Sequence, residues 1–151
     1  MKLSLLILLG IFYHLTDANC QSINFLHNAG STANDEALDV CQAQNGNVYT
    51  TGYFSQTVLF DNITYAASGN GDAFVSCQTS NGTYEWAIKI GGFGSDRGSV
   101  VTTDPQGNII AAGTFSGLAT AGSLDISSNA GSQDVYVIKI SPDGIILQHQ
   151  Y

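Results

Sequence analysis

Laid over itself at an offset of 61, the sequence matches, and self-matching at a fixed period limits a chain to folds in which the copies pack alike. Asn34-Asp35-Glu36-Ala37 falls on Ser95-Asp96-Arg97-Gly98. Asn45 to Ser55 falls on Gln106 to Ser116, and Gly46, Asn47, Gly52, Phe54 and Ser55 recur. After one inserted residue the offset becomes 62. Gly69-Asn70-Gly71-Asp72-Ala73-Phe74-Val75 then matches Gly131-Ser132-Gln133-Asp134-Val135-Tyr136-Val137, and Gly82 matches Gly144. Chance does not place so many glycines, aspartates and aromatics in register.

Each copy reads as four short strands. In the first they are Ala37 to Ala43, Val48 to Ser55, Ala73 to Gln78 and Tyr84 to Ile90. Asn45-Gly46 and Asn81-Gly82 are tight-turn signals between them. A longer excursion, Gln56 to Gly71, holds the apolar run Thr57-Val58-Leu59-Phe60. The second copy gives Ser99 to Thr103, Asn108 to Ser116, Val135 to Ile140 and Ile145 to Tyr151, with turns at Pro105-Gln106-Gly107 and Ser141-Pro142-Asp143-Gly144. Val135-Tyr136-Val137-Ile138 is apolar on both faces, as a strand sandwiched between sheets would be. Helix signals are absent beyond the N-terminus. The expected fold is all-β: antiparallel four-stranded propeller blades, two repeats of about 61 residues after a signal peptide.

The elements Gly91-Gly92-Phe93-Gly94-Ser95-Asp96-Arg97-Gly98, Gly107-Asn108-Ile109, Ala112-Gly113-Thr114-Phe115-Ser116 and Asp134-Val135-Tyr136-Val137-Ile138-Lys139 occur in that order, with counterparts in the first copy. They resemble the SBBP type of β-propeller repeat over residues 23–151. The resemblance implies a secreted or surface-attached protein and carries no catalytic residue to transfer. Propellers hold about 4–8 blades, each burying its faces against neighbours. Two copies therefore read as a fragment of a longer protein, with assembly of several chains into one ring as the competing reading.

Met1-Lys2, the apolar run Leu3 to Tyr13 and a polar exit describe a secretory signal peptide. The run is too short to span a membrane as a helix, which takes about 20 apolar residues. Cleavage is expected after Ala18 or Cys20; Cys20 also raises lipidation, against which Asp17 stands where such sites carry Leu. The resulting division is a signal peptide at 1–20, the last strand of a preceding or closing blade at 21–30, and repeats at 31–91 and 92–151. Phe25 aligns with Trp86 and Gly30 with Gly91. Export places Cys41 and Cys77 in an oxidising setting, but on strands separated by a third, so two buried free thiols are expected. Asn62-Ile63-Thr64 and Asn81-Gly82-Thr83 are glycosylation sequons, meaningful if the source cell glycosylates.

Twelve Asp+Glu against four Lys+Arg give a formal net charge of -8, which repels phosphate backbones and argues against nucleic acid as a partner. Gly91 to Ser99 nearly fits the calcium-binding β-roll nonapeptide, making Asp96 and its counterpart Asp35 weak metal candidates. The motif stands alone, with Gly98 at its apolar position, so Asp96 is read as bonding loop amides. Asp72 and Asp134 are read as turn aspartates that set strand register, and Asp104 and Asp143 as turn residues. Trp86 with Tyr84 is either a sugar-stacking platform or core, and core is favoured. No nucleophile elbow, phosphate loop or His-paired nucleophile is present; Asp39 and Glu85 make no glycosidase pair on sequence grounds. The expected function is non-catalytic, without cofactor: a secreted or cell-surface propeller segment binding an extracellular protein or glycan. The alternatives are an ancillary module of a larger secreted hydrolase and a calcium-stabilised repeat protein.

Overall fold

The structure is a computed structural model that describes residues 28–129 and 132–150, with side chains up to residue 147. The expected signal peptide, and all of segment 21–30 except its last three residues, lie outside the described residues.

The first copy forms β1 (Asp35–Gln42), β2 (Val48–Phe54), β3 (Thr57–Phe60), β4 (Ile63–Ala66), β5 (Asp72–Gln78) and β6 (Tyr84–Gly92). The second forms β7 (Arg97–Thr103), β8 (Ile109–Ser116), β9 (Leu118–Ala121), β10 (Leu124–Ser127), β11 (Gln133–Ile140) and β12 (Ile146–Gln150). All strand pairings are antiparallel. Each copy is thus a meander, β1-β2-β5-β6 or β7-β8-β11-β12, with a hairpin inserted between its second and third strands. The excursions that read as irregular are these hairpins, β3–β4 and β9–β10. Among the described residues there is no helix, and no sheet closes on itself.

Four turns of one geometry set the meanders. In each, a glycine with positive φ (Gly46, Gly82, Gly107 and Gly144) donates its N–H to the carbonyl three residues back. That back residue in turn donates to the carbonyl just after the glycine, as Ala43 does to Asn47 at 2.9 Å and Ser141 to Ile145 at 2.7 Å. This left-handed position is what the Asn-Gly and Gln-Gly signals supply. The repeat extends to irregularities: β1 and β7 are bulged at matching points, between Ala37 and Asp39 and between Gly98 and Val100.

The two meanders pack face to face around one core. The first copy contributes Tyr49, Ala73, Val75, Cys77, Ile88 and Ile90; the second contributes Val101, Ile109, Phe115, Tyr136, Ile138 and Ile140. Gly98 allows the close approach, since a Cβ there would lie 2.1 Å from Thr51 Oγ1. Asp39 then clips the sheets by accepting the Val101 N–H at 2.8 Å. The copies do not meet through equivalent faces. Ala73 and Val75 correspond to Val135 and Val137, whereas Phe115 and Tyr136 correspond to Phe54 and Phe74. The packing is therefore head to tail. It leaves Val135 60% and Val137 41% exposed, so the run read as buried on both faces is covered on one.

Hairpin β9–β10 belongs to the second copy in sequence and to the first in hydrogen bonding. Ile90, Gly91 and Gly92 of β6 pair with Ala121, Thr120 and Ala119 of β9, which makes the first sheet six-stranded. The first hairpin shows the same link: Gly30 pairs with Leu59, at the positions matching Gly91 and Thr120. Beneath β3–β4 lies a second cluster of Phe54, Val58, Phe60, Phe74 and Ala87.

Candidate functional site

The aspartates singled out from the sequence are spent on the backbone. Asp96 is buried; Gly92 N–H donates to its Oδ2 at 2.9 Å and Ser116 N–H to its Oδ1 at 3.1 Å. Asp35 does the same work one repeat earlier, accepting from the Ser31 and Ser55 amides and, at 3.0 Å, from the Ser31 hydroxyl. Each carboxylate ties the amide four residues before it to the end of the second strand of its copy. Burial raises the Asp96 carboxyl above its ordinary range, and the two amides oppose that rise. A cation here would have to displace these donors. Among the described residues no three His, Cys, Asp or Glu side chains cluster closely enough to hold a metal ion.

Asp134 caps its turn, accepting the Asn129 N–H at 2.9 Å and the Ser132 hydroxyl at 2.8 Å; the Asn129 amide chiefly holds its carboxyl below the usual range. Its counterpart Asp72 accepts the Ser68 N–H at 3.0 Å but is wholly buried and ion-paired to Lys89 at 2.8 Å, a partner the turn reading did not include. Asp104 accepts the Gln106 and Asn108 N–H groups and pairs with Lys139 at 2.7 Å; Lys139 and then Asn108 hold its carboxyl well below the ordinary range. Asp143 lies exposed in the β11–β12 turn. Depressed carboxyls stabilise the fold above their unfolded pKa, and that contribution disappears as pH falls through the folded value. Thermal melts from neutral pH to below pH ~3.9, the ordinary Asp value, should therefore show stability falling on the acid side. Asp104→Asn should flatten that limb, and an unchanged acid limb in the variant would rule out the role.

Trp86 and Tyr84 do not form a platform together. A bulge in β6, opposite the Cys77–Gln78 step, turns them to opposite faces. Trp86 packs against the main core, 5.8 Å from the Tyr49 ring, and donates Nε1–H to Pro142 O at 2.8 Å; Tyr84 joins the second cluster beside Phe60. Cys41 and Cys77 face each other across Tyr49, one residue from each pairing with it, and both thiols are free. Cys77 is buried as expected, but Cys41 is only half-buried because β1 is a sheet edge. Burial pushes the Cys77 thiol up to about 12. A thiol reagent should consequently label Cys41 in the native protein and Cys77 only after denaturation, read by peptide mass; equal labelling of both would contradict this packing. Asn62 and Asn81 are exposed, in the β3–β4 and β5–β6 turns respectively.

Outside the main core, a cleft of about 300 Å³ lies between β3–β4 and the first meander. Phe54, Val58, Phe60, Phe74 and Tyr84 form its floor, and Asn28 and Ala29 border it. Neither this cleft nor Lys89 was legible as a site in the sequence: the cleft depends on an unforeseen hairpin, and the Lys89 partner lies across a strand pair. No protein-family model matches this chain, and no curated protein does.

Proposed function

We propose that the chain is a pair of β-propeller blades of a secreted or cell-surface protein, acting as a non-catalytic scaffold that recognises an extracellular protein or glycan. The observation that carries this reading is the head-to-tail packing of two equivalent meanders. A ring of blades requires successive sheets to meet through opposite faces, and the meeting of the two copies through non-equivalent faces supports that arrangement. The recurrence of the Gly91–Thr120 link at Gly30–Leu59 supports the same operation acting a second time. Carboxylates consumed by loop amides favour a framework over chemistry, and the ordered elements quoted above support the SBBP resemblance. Exposed turns and an acidic surface suit recognition outside the cell.

The test is to recover the native product from its own host and image it by electron microscopy. Export, with an N-terminus at Asn19 or Gln21, and discs of about 4–8 radial sheets around a channel are the expected result. Retention inside the cell with Met1 intact, or an open stack of sheets without a channel, would overturn the reading.

A further inference from the structure

Asp72 and Lys89 stand diagonally on one face of the β5–β6 pair, where Phe74 is the direct partner of Lys89. Lys89 Nζ lies 2.8 Å from Asp72 Oδ2 and also donates to Ser68 Oγ at 2.8 Å and Ala66 O at 3.3 Å, contacts that hold the amine against the carboxyl. Asp72 is wholly buried, and its Oδ1 has no hydrogen-bond partner. That oxygen is pressed onto Gly91, where even a Cβ would come within 2.6 Å of it, which leaves no room for a water on that side. A desolvated ion pair with an orphan oxygen is costly. An amide between the two side chains removes both charges and the orphan at once. We propose that Lys89 and Asp72 join after folding in an intramolecular isopeptide bond that staples β5 to β6. Both described cysteines are free, so no disulfide among them supplies such a link. The proposal stands apart from the blade reading and needs no residue outside the first copy.

In the step, Lys89 Nζ bonds to Asp72 Cγ and the Cγ–Oδ1 bond breaks. Of the three ammonium protons, two leave with Oδ1 as water and the third stays on the amide nitrogen; nothing is oxidised or reduced. Oδ2 becomes the amide carbonyl oxygen and keeps the Ser68 N–H, 3.0 Å away, which steadies the negative charge that gathers there during attack. Fixing the two groups together replaces a chance encounter, an advantage equivalent to about 10⁵–10⁸ M in well-oriented intramolecular reactions. Lys89 is a fifth exposed, which gives the released water a way out. Until the bond closes the two groups hold each other as an ion pair, so freshly folded protein has the stability of the pair. Asp104 and Lys139 form the contrasting case. They meet at 2.7 Å, but both Asp104 oxygens also accept N–H groups, from Gln106 and Asn108, and Lys139 is a third exposed. That pair is satisfied as it stands and stays uncoupled.

Cleavage after Glu36 and Glu85 puts Asp72 and Lys89 on different fragments, 37–85 and 86–151, and this makes the bond visible. The full chain is folded, aged in buffer, unfolded, cut with a glutamate-specific protease and weighed by mass spectrometry. The two fragments should emerge as one joined species, lighter than their sum by one water, with the link mapped to Lys89 and Asp72. Protein recovered unfolded from inclusion bodies should give them separately, and the joined fraction should climb from near zero to most of the protein once the chain is folded. Lys139→Arg should join as the wild type does, whereas Lys89→Met should give separate fragments. Wild-type fragments that separate after ageing, with no water lost, overturn the proposal whether or not any variant folds. A link that survives Lys89→Met, or that is already complete in protein that was never folded, overturns it as well.

Discussion

Replacing Lys89 with methionine should cost about 3–5 kcal/mol, the range for breaking one partner out of a buried ion pair. That is a large share of the ~5–15 kcal/mol that holds a typical domain together. The asymmetry of the pair explains the size. Asp72 has no solvent exposure, and its Oδ1 already lacks a hydrogen-bond partner, so Lys89 and the Ser68 amide, both on Oδ2, compensate its burial. Lys89 is a fifth exposed and also donates to Ser68 Oγ at 2.8 Å and Ala66 O at 3.3 Å, which closes the end of the β3–β4 excursion onto β6. Removing the cation leaves a buried carboxylate beside Gly91, where even a Cβ would lie 2.6 Å from Asp72 Oδ1. The double variant Lys89→Met/Asp72→Asn should recover most of the loss, because an amide still accepts from Ser68 without needing a cation. Urea denaturation of the three proteins decides the matter. A single variant within about 1 kcal/mol of wild type would show that the pair is not a stabilising element.

Phe115→Ala should be nearly as damaging, at about 3–5 kcal/mol for a fully buried aromatic. Phe115 lies between the two sheets, 6.5 Å from the Tyr136 ring, and its removal opens a void in the core that the meanders share. Its counterpart Phe54 is equally buried but borders the cleft, 6.5 Å from Phe74. Fewer packed atoms surround it on that side, so Phe54→Ala should cost less, by about 1 kcal/mol or more. The comparison asks whether equivalent residues do unequal work. Equal losses would mean that the cleft side is packed as tightly as the space between the sheets.

What could be read from the sequence follows from how locally each feature is encoded. Turn glycines at Gly46, Gly82, Gly107 and Gly144 each enforce a backbone state within five residues, and the meander strands fell close to their expected ends. The hairpins were missed because their signals are weak. β3–β4 turns at Asp61, a non-glycine with φ of 50°, and only the second hairpin has glycine there, Gly122 at 60°. β9 is just Leu118-Ala119-Thr120-Ala121, too short and too alanine-rich to announce a strand. Among the aspartates, loop amides as the partners of Asp96 followed from its glycine-rich setting. Lys89 as the partner of Asp72 did not, since it depends on the diagonal between β5 and β6. The exposure of Val135 and Val137 was equally out of reach, because an apolar strand looks the same whether one face or both are covered.

The six-stranded first sheet has a consequence for folding. The last two of its strands, β9 and β10, come from beyond the sequence boundary at residue 91, so the unit that repeats and the unit that unfolds are not the same stretch of chain. Opening the first meander strips β9 of β6, one of its two partners, and opening the second drags β9–β10 away from β6. Amide hydrogen exchange should therefore report one cooperative foldon spanning both copies, with β6 and β9 protected to a similar degree. Cutting the chain at the repeat boundary would divide that foldon through its hydrogen bonds and release neither half as a domain.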